Sequence, residues 1–271
     1  MFLCLLYLKG YFSLKFTIKK CVAWGGGLTT DQDWQEFAQK GKELSLEQEL
    51  PALKQMPAMQ RRRLSPFAKL SLHCALSAAE DCLATVPSVF ASRHGDLQKT
   101  SKLISDVAAK EVLSPTQFGL SVHNAVGGLF SIYTGNKAPL SAISAGEDTF
   151  FVAILDAVSK MNYNAYPQIL LVYTETQVPE IYAQYVAQEE YSMSCALLIE
   201  PFQSASASEC EEDKAIFELT LSNKEQGDKS AGDDENPHMQ ALDFLHFYYS
   251  GVEQAEVVSK RHTWQLNRTT C

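Results

Sequence analysis

The sequence predicts an α/β protein, a mixed sheet with helices packed on it. Two observations carry that prediction. β-Favouring runs alternate with apolar helical segments from Ser88 to Thr174, the order expected of a sheet covered by helices. A chain of 271 residues, 46% of them apolar, also has enough apolar surface to bury a full core in one domain with appendages.

The mostly apolar start, Met1 to Leu8, lacks the basic flank of a signal peptide and falls far short of the ~20 residues a membrane-spanning helix needs. Residues 1–14 read as an N-terminal extension. Within it, residues 1–13 are expected to be an upstream artefact, with translation beginning near Leu14; a native species whose intact mass retains Met1 would reject this. Residues 15–271 form the domain.

From Phe16 to Trp24 a β-favouring run ends in Gly25-Gly26-Gly27, a strand followed by a turn. A short acidic helix follows over Asp31 to Lys40. Glu43 to Arg63 is polar, carries Pro51 and Pro57, and reads as surface loop with short helical turns. Leu70, Cys74, Leu76 and Leu83 recur at helical spacing, so Phe67 to Ala84 is expected to be a buried helix. Ser88 to Ser92 reads as a strand and Lys99 to Lys110 as a helix. Gln117 to Tyr133 reads as a helix interrupted by Gly127-Gly128, a pair that costs helix stability and implies close backbone packing. Pro139 to Ser144 and Gln168 to Thr174 are strands that bracket an apolar helix over Glu147 to Met161. Met193 to Ile199 and Ala215 to Leu221 are the last predicted strands, expected side by side. Stretches near residues 204–213 and 223–238, rich in Ser, Gly, Asp and Glu, read as flexible loops. A helix over Met239 to Tyr249 and a basic, aromatic Lys260-Arg261-His262-Thr263-Trp264 close the chain.

Composition removes several functions. A net charge of −9 and a pI near 5.2 argue against a nucleic-acid partner, because phosphate binding draws its affinity from Lys and Arg. Seven scattered cysteines, odd in number and without a C-x-x-C pair, give neither a disulfide framework nor a zinc site and fit a reducing cytoplasm. The six histidines are equally dispersed. No metal, no cofactor and no stable membrane span are expected.

The segment Ser141-Ala142-Ile143-Ser144-Ala145-Gly146-Glu147-Asp148-Thr149, running into Phe150-Phe151-Val152-Ala153-Ile154, reads as strand, tight turn and buried helix. Residues after Gly146 then sit at a helix N-terminus, which favours an anion. Glu147 and Asp148 are either caps for that helix or occupants of an active-site position. A carboxylate so placed is a weak base and a poor acyl acceptor. Ser144 is a weak nucleophile candidate, because the first glycine of G-x-S-x-G is missing.

Several strings, taken in order, resemble the β-ketoacyl synthase-like N-terminal domain family. They are Leu113-Ser114-Pro115-Thr116-Gln117-Phe118, Ser121-Val122-His123-Asn124-Ala125-Val126-Gly127-Gly128 and the turn segment above, with Cys21-Val22-Ala23-Trp24, Arg61-Arg62-Arg63-Leu64-Ser65 and Phe90-Ala91-Ser92-Arg93-His94-Gly95-Asp96 upstream. The resemblance covers roughly Phe16 to Trp264. It implies a thiolase-like fold, the N-terminal half of a ketosynthase, of the short chain-length-factor-like kind associated with aryl polyene and related pigment pathways.

The resemblance also exposes two departures. The position of the family's catalytic cysteine falls on Glu147, with Asp148 as fallback, and a carboxylate cannot form the thioester that condensation requires. The second-half motifs carrying two histidines and a glycine-rich loop are absent, and His238, His246 and His262 read as ordinary tail histidines. The region of His123, Asn124, Gly127, Gly128 and Phe130 lies near a subunit interface in such dimers, so it is expected to contact a partner; a structural role fits equally. Bulky Phe118, Leu129, Phe130 and Phe150 are candidates for tunnel or interface lining, or for plain core. Arg61, Arg62 and Arg63, the one compact basic cluster, are either a solvated face or a docking patch for an acidic acyl carrier protein.

The resemblance therefore implies a non-catalytic subunit that forms a heterodimer with a catalytic ketosynthase served by an acyl carrier protein. The alternatives are a weak malonyl-carrier decarboxylase using Glu147 or a neighbouring polar group, and a stand-alone acyltransferase or hydrolase using Ser144.

Overall fold

The computed structural model describes residues 12–47, 49–186, 191–202, 215–223 and 239–270. One eight-stranded mixed sheet organises them. Its strands are β1 (Phe12–Gly25), β2 (Ser88–Ala91), β3 (Leu140–Ile143), β4 (Ile169–Glu175), β5 (Met193–Pro201), β6 (Ala215–Asn223), β7 (Gln254–Val258) and β8 (His262–Thr270), in the spatial order β3-β2-β4-β5-β1-β6-β8-β7. β2 runs parallel to β3 and β4, and the other pairs are antiparallel.

The central strands are buried on both faces, and their side chains alternate between two cores as the period of two requires. In β4, Leu170 and Val172 enter one core, whereas Ile169, Leu171 and Tyr173 enter the other. The first core is closed by α3 (Pro66–Ala78) and α6 (Ala125–Thr134); the second by α7 (Thr149–Asn164) and α8 (Gln240–Ser250), with Trp34 of α1 (Asp31–Lys40). Short α2 (Ala58–Arg61), α4 (Leu97–Ala108) and α5 (Pro115–Gly119) lie outside these layers.

Local chemistry explains the boundaries. Thr30 and Asp33 form a reciprocal capping box that starts α1, and Gly41 ends it in the left-handed region at φ 67°. Ser65 caps α3 with Pro66 in its first turn, and Ser114 with Pro115 does the same for α5. At the end of β1, Gly25 lies opposite Met193, so close that a Cβ there would stand 2.5 Å from the Met193 Cα and 2.8 Å from the Ser192 carbonyl oxygen. Gly25→Ala is therefore expected to cost about 1–3 kcal/mol, because backbone and not a mobile side chain must move. Urea unfolding measures it.

Four expectations change. β1 begins at Phe12 and takes in the last three residues of the predicted extension, because residues 12–14 pair with Leu219 to Leu221 of β6. The predicted neighbours β5 and β6 are not paired; β1 lies between them. The single helix expected over Gln117 to Tyr133 is two, α5 and α6, broken at residues 120–124, and the glycine pair lies inside α6. Gly127 carries the close packing, since a Cβ there would stand 2.8 Å from a Leu140 methyl, whereas Gly128 faces open space. The fourth concerns Glu43 to Arg63, which is not all surface: Leu53 and Met56 are buried. Asn223, the first residue of the loop predicted near 223–238, ends β6; the rest of that loop, with His238, and the loop predicted near 204–213 lie outside the described residues.

Candidate functional site

The turn between β3 and α7 has the strand-turn-helix geometry expected from its sequence. Gly146 is its apex, with φ 63° and open space where a Cβ would project. In a nucleophile elbow this strained position presents the reactive side chain to solvent; here it has none. Glu147 and Asp148 follow in a short 3-10 turn, so α7 proper begins one residue later than they do, at Thr149. Thr149 ties the turn down: its Oγ1 accepts from the Ala145 N–H at 2.9 Å and donates to the Gly146 carbonyl at 2.7 Å.

Both carboxylates are committed within the chain. Glu147 Oε1 is 2.7 Å from Lys260 Nζ. Asp148 is 6% exposed. Its Oδ1 accepts from Trp264 Nε1 at 2.7 Å and Gln240 Nε2 at 2.9 Å, and its Oδ2 from His262 Nδ1 at 2.8 Å. Because a carboxylate only accepts, the His262 proton must sit on Nδ1. Burial pushes the Asp148 carboxyl up, but donors from His262, Trp264, Ser259 and Gln240 outweigh it and hold the group below its ordinary value.

His262 is thus not an ordinary tail histidine, and the β7-β8 hairpin that carries it was not predicted. A signal existed. In His262-Thr263-Trp264-Gln265-Leu266, Trp264 and Leu266 are buried while Gln265 is exposed, the alternation of a half-buried strand. His246, by contrast, is exposed on α8 beside Phe37.

Ser144, the other candidate in the turn, donates to the Arg93 carbonyl at 3.0 Å. Among the described residues no imidazole or carboxylate accepts its proton, so the base that a serine nucleophile needs is missing. The neighbouring carbonyl, of Ser92, accepts from His123 Nε2 at 2.8 Å. Glu175, 1% exposed, accepts from Ser92 Oγ at 3.2 Å and from the Arg93 N–H. His123 and Ser144 therefore hold consecutive carbonyls of one loop, linking the segment before α6 to the turn after β3.

The other predicted residues separate. Asn124 is the residue before α6 but makes no side-chain cap. Phe130 is fully buried, tilted against Phe90 at 5.6 Å, and Phe150 is 1% exposed; within this chain both belong to the core. Phe118 is 59% exposed, and Leu129 is half-buried. The arginines diverge. Arg61, which donates to the Ala52 carbonyl at 2.9 Å, and Arg62 line a cavity of about 300 Å³ with Lys69. Arg63 faces a separate groove of about 500 Å³ with Lys99.

None of Cys74, Cys82 and Cys195 is an activated thiol. Cys74 is pushed up to about 12 by burial, Cys82 is raised by burial, and Cys195 is raised by its contact with Cys21 and by burial. Nor, among the described residues, is there a group of three or more His, Cys, Asp or Glu side chains arranged to hold a metal ion. No described helix is long and apolar enough to cross a membrane.

Residues 34–267 match the β-ketoacyl synthase N-terminal domain. The chain belongs to that family. Its fold is the thiolase-like ketosynthase fold, and solved ketosynthase structures superimpose on it. A chain of the complex of the ketosynthase ApeO with its chain length factor ApeC, from Xenorhabdus doucetiae, matches at TM-score 0.78 and 25% identity, over 94% of this chain and 100% of that one. A chain of AntDE:AntF, a type II acyl carrier protein in complex with its ketosynthase, matches at TM-score 0.66 and 12% identity, over 96% and 100%. The ketosynthase from module 1 of the bacillaene synthase of Bacillus amyloliquefaciens matches at TM-score 0.55 and 10% identity, over 88% of this chain but 52% of that one. No curated protein matches. The chain thus spans the whole of the first two of these chains and about half of the third.

Proposed function

We propose that this protein is a chain-length-factor-like subunit that does not condense acyl chains itself and pairs with a cysteine-bearing β-ketoacyl synthase, in aryl polyene or related fatty-acid-type synthesis in the cytoplasm. One observation carries the reading: the turn where the family chemistry is expected has a glycine apex, and both carboxylates after it are bound internally. A thiolate nucleophile has no place there. The match along the whole length of a chain from a ketosynthase–chain length factor complex supports the same role.

The surface beside the turn supports a partner. Among the described residues β3 is an edge strand with one hydrogen-bonded neighbour, and Ser144, Ala145 and Gly146 continue its exposed rim. The carbonyls of Pro139 and Ile143 accept from Ser88 and Ser92 of the β2 side, so the backbone groups of Leu140 and Ala142 face away from β2. An uncovered edge of this kind is a template for another strand. In a pseudo-symmetric dimer it would meet the corresponding strand of the ketosynthase.

Co-expression with the ketosynthase of the same gene neighbourhood tests the proposal. The expected result is a stable one-to-one complex that turns over malonyl and acyl carrier substrates, while the isolated chain turns over neither. A monomer beside a ketosynthase that is soluble and fully active alone would overturn it. The carrier is assigned to the basic cluster. Reversing Arg61, Arg62 and Arg63 to glutamate together is expected to weaken carrier binding to the complex by about tenfold or more, with the loss shrinking in high salt. Surface plasmon resonance reads both.

A further inference from the structure

Arg63 lines a groove separate from the cavity that Arg61 and Arg62 line. The groove lies between the start of α3 and the outer face of α6 and measures about 500 Å³, within the ~300–1,000 Å³ range of small-molecule sites. Met56, Leu64, Leu120, Leu129 and Ile132 give it apolar walls. Ile132 is 83% exposed, an apolar side chain left in water at the rim. A smaller recess continues past Ala68, Lys99 and Leu129 toward Val122 and Val126.

Its charges are lopsided. Lys99 is fixed by Asp96 at 3.3 Å and by the Leu120 carbonyl at 3.4 Å. Arg63 has no acidic partner among the described residues, in a chain whose net charge is −9. One unneutralised guanidinium therefore stands over an apolar trough, beside a lysine whose charge is already matched. That combination complements a ligand with one anionic head and one apolar tail: the head takes the fork of Arg63 through charge-assisted hydrogen bonds, and the tail lies along Leu64, Leu129 and Ile132. A wholly apolar occupant would leave Arg63 idle, and a polyanion would leave the walls uncovered.

We propose that this groove is a binding site for a single-chain amphiphile with a carboxylate head, at a ratio of one per chain. The inference goes beyond the subunit role and stands without it. Titration calorimetry on the purified full chain tests it with dodecanoate, using dodecanol and acetate as comparators below their aggregation limits. Dodecanoate is expected to saturate at one site, and dodecanol to bind about tenfold or more weakly, since it keeps the tail and loses the charge-assisted bonds. Arg63→Ala is expected to reduce dodecanoate to the dodecanol level and leave dodecanol unchanged. Ile132→Asp, at an exposed position where folding is not at stake, is expected to weaken both. Stoichiometry that climbs with concentration, or binding indifferent to Arg63, would overturn the proposal. So would Ile132→Asp abolishing ketosynthase co-purification with dodecanoate binding intact, which would assign the groove to the protein partner. Failure of the subunit role itself shows separately, as failed co-purification of the unmodified chain.

Discussion

Asp148→Ala is expected to lower the unfolding free energy by about 3–5 kcal/mol, the range found when one member of a buried charged network is removed. The loss is large because the donors of Trp264, Gln240 and His262 converge on this one side chain. Without it, the Trp264 and Gln240 N–H groups are left buried and unpaired, and His262 loses the acceptor that fixes its ring. Asp148→Asn should cost less. Its amide oxygen can keep Trp264 and Gln240, and its NH2 can donate to His262 Nδ1 once the imidazole moves its proton to Nε2. The pH dependence follows from the direction of the shift. Because the native carboxyl is held below its ordinary value of 3.8, its contribution is fully present above that value and is lost as the pH falls through the native pKa. Chemical denaturation followed from pH 5 downward through the range below 3.8 should therefore show an acid limb that Asp148→Asn flattens. A variant series with equal stabilities at pH 7 would show that the three hydrogen bonds do not hold the hairpin.

Ala142→Pro is expected to abolish co-purification with the ketosynthase, a loss of at least about 100-fold in affinity, while leaving the isolated chain folded. Proline removes a backbone donor, and at Ala142 that donor faces the open side of β3, so the β2-β3 ladder keeps its bonds. Ala142 is also exposed, so the ring meets no core. The paired control is Ser141→Pro, whose lost N–H faces β2 and which should unfold the edge in the isolated chain. Circular dichroism separates the two. If Ala142→Pro folds and still co-purifies at the parental level, the edge of β3 is not the contact.

Most elements were legible because their signals are local. The glycines after β1, the helical spacing of Leu70, Cys74 and Leu76 and the Ala145-Gly146 turn after β3 each announce an element within a few residues. The break between α5 and α6 was hidden by apolar spacing that runs through residues 120–124 although the backbone does not. The neighbours of β1 were hidden for another reason: nothing local specifies which of two apolar strands lies beside a third. At the turn, the strand, the glycine and the two carboxylates were legible, but not their partners. Lys260 and His262 lie more than a hundred residues away, on a hairpin whose alternation is diluted by Ser259, Lys260 and Arg261. The divergence of Arg61 and Arg62 from Arg63 depends on how the chain turns into α3, which consecutive identical residues do not reveal.

β1 carries a consequence for how the molecule is made. It is the first strand of the sheet, yet both its neighbours come late: Phe16 faces Pro201 on one side and Phe217 on the other. Until the ribosome has delivered β5 and β6, a 14-residue strand waits with both edges unsatisfied. Such long-range closure is slow, and the waiting strand can pair with another nascent chain. Low yield of this protein expressed fast and alone would then report the order of synthesis, not weakness of the finished sheet, and slower translation or added chaperone should raise it.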